Sequence, residues 1–183
     1  MKKVNSQSRQ EFLLALVLVV AAVGTRLLFA AVGMHNFNAV YGATIFAGAC
    51  LTRHKWGYLV PFVAMLISDA FLGFYDAGQM SVVYASFAVM LLIGTLYAKK
   101  PSLLAFTGVT IGGSVAFFLL TNFALWPFYT QYPHTWGGIV ESYTLALPFF
   151  KNTFASTMLF SAILFGGYEA AKVFVTKKIV VAG

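Results

Sequence analysis

Charged and amide side chains interrupt the long apolar segments of this sequence at positions that could form a binding site. Arg26 stands about seven residues before the end of the first segment, and Asp69 about five residues before the end of the third. At about 1.5 Å of rise per residue, both lie roughly 8–10 Å below the same surface of a helical bundle. Ionisable groups in such segments are costly and tend to face a cavity or a partner. Because Asn122, Lys151 and Asn152 are expected at the same depth, the pattern indicates a ligand pocket at that surface.

Each of these residues also has a purely structural interpretation. Arg26 and Asp69 could form an ion pair between two helices, and such a pair could still border a pocket. Asn122 could make a hydrogen bond between helices rather than to a ligand. Lys151 could anchor a helix end at a membrane interface. The sequence leaves these alternatives open.

The segments between the apolar runs supply further candidates. Residues 126–151 form the longest connection, and a connection of this length is usually functional or a lid. The alternative is an aromatic belt at the lipid interface, which explains Trp and Tyr but not the polar groups among them. Within it, residues 138–147 could be an interfacial half-helix. The candidates for ligand binding here are Trp126, Tyr129, Trp136 and Glu141, and those in the first connection and the run after it are His35, Asn36, Asn38 and Tyr41.

Enzyme signatures are mostly absent from the sequence. It has no H-E-x-x-H pattern, no G-x-x-x-x-G-K-[ST] phosphate loop and no G-x-S-x-G elbow. His35 and His134 could share a metal ion from two connections, but lone histidines are more often structural, so no metal or other cofactor is expected. An enzyme acting on a lipid-linked substrate would need Asp69 or Glu141 as its base. Cys50 is the only cysteine, which excludes an internal disulfide and suits a small packing residue.

The composition indicates that these residues are positioned by an all-α membrane bundle. Of 183 residues, 60% are hydrophobic and only 9% are charged, too few to cover a soluble domain. Spanning a bilayer takes about 20 helical residues. One domain is expected, with six transmembrane helices and no repeat. The predicted helices cover residues 12–32, 39–52, 57–74, 80–98, 101–125 and 153–173, of which the second is the shortest.

The positions of the basic residues orient this bundle and argue against a nucleic-acid partner. Ten of the 12 Lys and Arg residues precede the first run, lie in every second connection, or lie near the end of the chain (Lys172, Lys177 and Lys178). This is the positive-inside pattern, so both termini are predicted to be cytoplasmic in a bacterial inner membrane. A nucleic-acid binder would instead need its bases on one exposed, folded surface. No small-residue cleavage site follows the apolar start of the first run, where Arg26 and then Asn36 and Asn38 come instead, and this favours a retained helix over a signal peptide.

Four stretches, in this order and spacing, carry a resemblance to a known family. Together with the predicted topology, the chain resembles the substrate-binding subunits (S components) of energy-coupling factor transporters, or a related family of small bacterial inner-membrane proteins of unknown role. The resemblance implies six helices and an extracytoplasmic site for a vitamin, under the first, third and fifth loops. It also implies a transmembrane coupling subunit and two ATPases as partners. The stretches are NAVYGATIFAGA (38–49), LVPFVAMLISDAFLG (59–73), FFLLTNFALW (117–126) and LPFFKN (147–152).

The first helix departs from that family, because it offers scattered alanines in place of a regular Ala-x-x-x-Ala docking pattern. This leaves open another partner, or action alone. Small residues four apart in other runs could pack helices or dock a partner. The function expected is capture or transport of a vitamin-like molecule or cofactor precursor, without enzymatic activity. The alternatives are the membrane enzyme above and a structural subunit of a membrane assembly. The small-residue pairs are Ala43 with Ala47, Gly112 with Ala116, and Gly166 with Ala170.

Overall fold

The structure, a computed structural model, describes residues 2–52, 55–128 and 132–181. These residues form six α-helices and one short 3₁₀ helix, which confirms the prediction of an all-α protein. The helices are α1 (Lys2–Ala31), α2 (Val40–Cys50), α3 (Trp56–Leu72), α4 (Ala77–Lys99), α5 (Leu103–Leu125) and α6 (Trp136–Val181), and the 3₁₀ helix covers Trp126–Phe128.

Local sequence signals explain where several helices begin and end. The Asp76 side chain accepts a hydrogen bond from the Gln79 amide at the start of α4, as an N-cap residue does. Ser102 caps α5 in the same way. Gly73, with φ of 101°, ends α3 in a backbone conformation that side chains other than glycine rarely adopt. These boundaries keep most connections short.

Successive helices run in alternating directions. Paired contacts show that α1 and α3 are parallel to each other, and that α2, α4 and α6 are parallel to one another and opposite to α5. We call the end of the bundle at which α1, α3 and α5 end the cavity end, and the opposite end the basic end. The contacts that fix the directions are Phe12 with Trp56, Arg26 with Asp69, Tyr41 with Phe87 and Phe117, Ile45 with Gly113, Gly48 with Leu91, His35 with Asn152, and Phe46 with Phe165.

The short second helix lies at the centre of the bundle. Helix α2 packs against all five other helices, and its residues from Val40 to Gly48 are buried. Its 11 residues reach only about 17 Å, which is less than the thickness of a bilayer core. A short helix is tolerated here because protein rather than lipid surrounds it. Gly48 and Gly94 allow the close approach of α2 and α4, since a Cβ on either would collide with a carbonyl of the other helix.

The last helix differs most from its prediction. A helix was expected only over residues 153–173, after a long connection over residues 126–151. Helix α6 instead begins at Trp136 and continues for 46 residues, with Pro148 inside it. The helix continues through Pro148 because proline removes only one backbone hydrogen bond, the one to the Thr144 carbonyl. The neighbouring hydrogen bonds hold the helix together. The half-helix anticipated over residues 138–147 is therefore the first part of α6.

The outer surface of the bundle is apolar. Large side chains such as Val17, Leu104 and Ile163 are exposed, whereas soluble monomers rarely expose contiguous apolar surfaces of this kind. Within the described residues, four helices are long and apolar enough to cross a membrane, and α2 and α3 are shorter apolar helices. These features are typical of a membrane protein. The four long segments are Ser6–Ala31, Ala77–Lys99, Leu103–Ala124 and Trp136–Val173.

Candidate functional site

A cavity of about 510 Å³ lies at the cavity end of the bundle. All six helices and the α1–α2 connection contribute to it. Helix α6 supplies one continuous stripe, because its lining residues recur at spacings of three and four. Residues that the sequence placed in a long connection therefore form a helical wall of the cavity. The stripe consists of Ser142, Leu145, Ala146, Phe149, Phe150 and Thr153.

Aromatic rings line much of this cavity. The ring of Tyr41 stacks on Phe87 with centroids 5.4 Å apart, and Phe117 packs edge-on against Tyr41 at 5.1 Å. On another side, the rings of Phe118 and Phe150 lie 4.6 Å apart. Apolar and aromatic walls with a few polar groups are typical of small-molecule sites. The arrangement suits a flat ring system more than an extended polar chain.

Among the described residues of α1, Arg26 is the one basic residue that lines the cavity. Its Nη1 lies 2.7 Å from Oδ1 of Asp69 on α3, and it also donates to the hydroxyl of Ser68. The second carboxylate oxygen of Asp69 accepts a hydrogen bond of 3.0 Å from the hydroxyl of Tyr84 on α4. Arg26 is 18% exposed and lines the cavity, whereas Asp69 is 1% exposed and lies behind it. The ion pair that the sequence allowed is thus present, and it still borders the pocket.

Amide and hydroxyl groups add hydrogen-bonding capacity. Asn38 uses its Oδ1 to accept from the Val40 amide, which fixes the start of α2. Asn122 donates from its Nδ2 to the Phe118 carbonyl, which leaves its Oδ1 for another partner. The hydroxyl of Thr121 donates to a carbonyl of its own helix, so it can only accept from a ligand. Fixed amides and hydroxyls of this kind orient a ligand within an apolar pocket.

The α1–α2 connection closes one side of the cavity. Asn36 has a left-handed φ of 61°, which amide residues adopt more readily than most. Two side chains of α6 hold this connection, since Asn152 donates to the His35 carbonyl at 2.9 Å and Ser156 donates to the Asn36 carbonyl at 3.4 Å. Asn152 therefore positions cavity-lining residues without lining the cavity itself.

Of the candidate residues from the sequence, Tyr129 lies outside the described residues. The others fall into two groups, those that line the cavity and those that do not. Those that line the cavity are Arg26, His35, Asn36, Asn38, Tyr41 and Asn122, and those that do not are Asp69, Trp126, Trp136, Glu141, Lys151 and Asn152.

The candidates that do not line the cavity have identifiable positions. Trp126 donates from its indole nitrogen to the Pro133 carbonyl, and Trp136 is 83% exposed at the start of α6. Glu141 and Lys151 are both exposed. Lys151 lies nine residues after Ser142, which is about two and a half helical turns, so it points to the opposite side of α6 from the stripe. Once this segment is helical, only one face of it can line the cavity.

Most of the apolar part of the site was not predicted from the sequence. Most of the missed rings are on α4, α5 and α6, where apolar residues cover every helix face and periodicity gives no direction. Ser142 was also missed, because its stripe becomes visible only if residues 136–151 are read as a helix. The missed residues include Phe87, Phe117, Phe118, Phe149, Phe150, Thr121, Ser142 and Thr153.

The histidines and acidic residues near the site bear on metal binding. Among the described residues, no group of three His, Cys, Asp or Glu side chains comes together to hold a metal ion. His35 lines the cavity, while His134 packs its ring against Trp126 at 5.3 Å. The two histidines considered as a possible metal pair therefore have different surroundings.

Comparison with known proteins gives a family but no named relative. No curated protein and no solved structure matches the chain significantly. A family profile described as a family of unknown function, DUF6580, matches residues 6–179. This match includes all six helices and every described residue of the cavity. The chain therefore belongs to the DUF6580 family of unknown function.

Proposed function

We propose that this protein captures or transports a vitamin-like molecule or cofactor precursor, which it binds from the extracytoplasmic side of a bacterial inner membrane. The observation that carries this proposal is the cavity of about 510 Å³ beside Arg26. Its volume lies within the range of about 300–1,000 Å³ that is common for small-molecule pockets. Its aromatic lining, with a few amides, hydroxyls and one guanidinium, suits a ring-bearing molecule with polar substituents.

The proposed orientation has six crossings with both termini in the cytoplasm. Its support is the distribution of basic residues, since Lys55, Lys99 and Lys100 belong to connections at the basic end. Helices α1 and α6 also have their Lys-containing ends there. Positive charge is retained on the cytoplasmic side of membrane proteins. This orientation turns the cavity toward the outside.

Cysteine labelling tests this orientation. In a Cys50→Ala background, Ala77→Cys lies at the cavity end and Pro101→Cys at the basic end, and both positions are exposed. We expect a membrane-impermeant maleimide to label Ala77→Cys in intact cells and Pro101→Cys only after permeabilisation. Labelling of both sites, or of Pro101→Cys alone, in intact cells would contradict the six-crossing orientation.

Release of the captured molecule to the cytoplasm would require a conformational change or tilting of the bundle. The proposal includes a transmembrane coupling subunit and ATPases as partners, on the basis of the resemblance described from the sequence. A membrane enzyme and a structural assembly subunit are the competing functions. An enzyme using Asp69 would have to reach substrate past Arg26, because Asp69 does not line the cavity.

Blocking the cavity tests the proposed function. Ala146 lines the cavity, whereas Ala155 lies exposed on another face of the same helix. The wild type, Ala146→Trp and Ala155→Trp would be purified in mild detergent, and molecules released on denaturation would be identified by mass spectrometry. We expect one small molecule in the wild type and in Ala155→Trp, and its loss in Ala146→Trp.

The same experiment separates the competing functions. Retention of the molecule by Ala146→Trp would show that the cavity is not the site. Recovery of a chemically altered product after incubation with the identified molecule would favour an enzyme. Absence of any bound molecule from the wild type, followed by no binding of added candidates, would favour a structural subunit.

A further inference from the structure

Two serines of α6 lack the hydrogen bond that other hydroxyls of this helix make. Thr144, Thr153 and Thr157 each donate to a carbonyl four residues earlier. Ser142 and Ser161 are buried, and neither hydroxyl has a hydrogen-bond partner among the described residues. A buried polar group without a partner is rare in folded proteins and calls for an explanation.

The surroundings of the two serines differ. Ser161 packs where α6 meets Gly42 of α2, and it does not line the cavity. Ser142 is 3% exposed and lines the cavity. Of the two serines, Ser142 is therefore the one that borders the space a ligand would occupy. The free hydroxyl of Ser142 is able both to donate and to accept a hydrogen bond.

The charges around the cavity restrict the ligand further. No Asp or Glu side chain lines the cavity in the described part of the chain, whereas Arg26 does. The contacts of the Arg26 guanidinium with described residues all use Nη1, which leaves Nη2 and Nε as donors for a ligand. Guanidinium groups bind carboxylates with two parallel hydrogen bonds. A cationic group would find a like charge and no carboxylate in the lining.

The cavity that Arg26 and Ser142 line also has an aromatic lining. Phe117 and Phe118 on α5 and Phe150 on α6 line the same cavity as Arg26 and Ser142. Rings stack or pack edge-on with other rings at centroid separations of about 4.5–7 Å. A ligand that satisfies all three features has a flat ring system, an acidic group and a second polar group.

We propose that the cavity selects an aromatic carboxylic acid, whose carboxylate pairs with Arg26 and whose second polar group pairs with the otherwise unpartnered Ser142. This inference rests on the proposed function, because it assigns the chemical class of the captured molecule. Ser142 is in this view a specificity residue, because its hydroxyl has no hydrogen-bond partner among the described residues and can pair with a ligand.

Three naphthalene probes test the charge preference. Purified protein in detergent would be titrated by equilibrium dialysis with 2-naphthoate, 2-naphthamide and 2-naphthylmethylamine at neutral pH. We expect the acid to bind about tenfold more tightly than the amide, since hydrogen bonds to ionised groups are about twice as strong, and the amine to bind least. An amide or amine that binds as tightly as the acid would overturn the assigned ligand class while leaving the proposed function in place. Failure of all three probes to bind would also overturn the assigned ligand class, whereas the proposed function is tested separately by the Ala146→Trp experiment.

A charge-neutral double variant tests the role of Arg26. Arg26→Gln alone would leave Asp69 buried without its partner, so Arg26→Gln is combined with Asp69→Asn. We expect this double variant to fold and to bind 2-naphthoate and 2-naphthamide equally. Lys151→Gln, which removes an exposed charge of α6, serves as the control and should keep the preference for the acid. Persistence of that preference in the double variant would exclude Arg26 as the carboxylate partner.

Hydroxylated probes test the role of Ser142. 6-Hydroxy-2-naphthoate and 7-hydroxy-2-naphthoate carry a second polar group at two different positions. We expect the better of the two to bind the wild type about fivefold more tightly than 2-naphthoate, in line with one added hydrogen bond. This gain should vanish in Ser142→Ala and persist in Ser161→Ala, the matched control.

The unfolding temperature distinguishes recognition from a structural role. Ser142→Ala removes a hydroxyl that has no partner among the described residues, so we expect an unfolding temperature equal to or above that of the wild type. A gain from the hydroxyl group that survives in Ser142→Ala, or is absent from the wild type for both isomers, would overturn the assignment of Ser142.

Discussion

Nη1 of Arg26 lies 2.7 Å from Oδ1 of Asp69, and only the arginine of this pair lines the cavity. The carboxylate lies behind the guanidinium and accepts a further hydrogen bond from Tyr84. The pair therefore connects α1 with α3, and Tyr84 extends the connection to α4. It also presents a guanidinium to the cavity with its counterion already in place. One structural contact thus fixes both the geometry and the charge of the site.

Replacing one residue of this pair is expected to destabilise the protein more than replacing both. Arg26→Gln alone should lower the free energy of unfolding by about 3–5 kcal/mol, because Asp69, which is 1% exposed, then remains buried without a counterion. Asp69→Asn alone should lower it less, because Arg26 lines the cavity and is 18% exposed. The double variant with both substitutions should recover most of the loss. The measurement is detergent-solubilised unfolding of both single variants and the double variant, analysed as a double-mutant cycle.

The exposed pair of Glu169 and Lys172 provides the control. Its charged atoms are also 2.7 Å apart, but both side chains are exposed. Exposed pairs of this kind contribute about 0–1 kcal/mol, so Glu169→Gln should change stability little. Equal effects of Glu169→Gln and Arg26→Gln would mean that burial of the Arg26–Asp69 pair has no energetic consequence.

The close contact of α2 and α4 gives a second prediction. A Cβ at Gly94 would collide with the backbone of Ile45, so Gly94→Ala should destabilise the bundle by about 1–3 kcal/mol. A Cβ at Gly112 on α5 would meet nothing within 4 Å. Gly112→Ala should therefore stabilise its helix by up to about 1 kcal/mol. Thermal unfolding of the two variants checks this, and the same sign of change in both would contradict the packing of α2 on α4.

Helices could be predicted from the sequence where a long apolar run covers the whole helix. The intervals expected for α3, α4 and α5 lie close to the observed ones, because long apolar runs and turn residues mark both ends. The start of α6 could not be predicted in this way. Residues 136–151 mix aromatic, polar and apolar types, and their helical stripe has meaning only when the facing α5 is known. Pro148 also resembled a boundary, although one missing donor does not end a helix.

The polar part of the site was more predictable than its apolar part. Arg26 and Asn122 stand out against an apolar background, and both line the cavity. Asp69 also stood out, but its depth along the helix could not show that Arg26 lies between it and the cavity. The rings of Phe87 and Phe117 were not distinguishable from lipid-facing residues, because every face of their helices is apolar. Only the tertiary packing of the helices shows that these two rings line the cavity.

The hydrogen bond from Asn152 to the His35 carbonyl gives a third prediction. Asn152→Leu keeps a similar side-chain volume but removes this donor. We expect faster amide hydrogen exchange in residues 34–38 and weaker ligand binding, with a loss of only about 1 kcal/mol in overall stability. Lys151→Gln, at the adjacent exposed position, should leave exchange in this segment unchanged. Unaltered exchange in Asn152→Leu would show that the connection is held by other contacts.

The position of Trp136 leads to the last prediction, which concerns the aromatic group that contacts the ligand. Trp136 was a candidate ligand contact in a predicted lid, but it is 83% exposed at the start of α6 and does not line the cavity. Phe150 lies further along the same helix, lines the cavity and packs 4.6 Å from the ring of Phe118. Loss of one aromatic contact weakens binding by roughly 1 kcal/mol or more, in addition to the buried area lost. We therefore expect Phe150→Ala to weaken 2-naphthoate binding by about tenfold and Trp136→Ala to leave it unchanged in equilibrium dialysis. The reverse order would mean that the ligand binds at the outer tip of α6, and that the cavity between the helices is not the binding site.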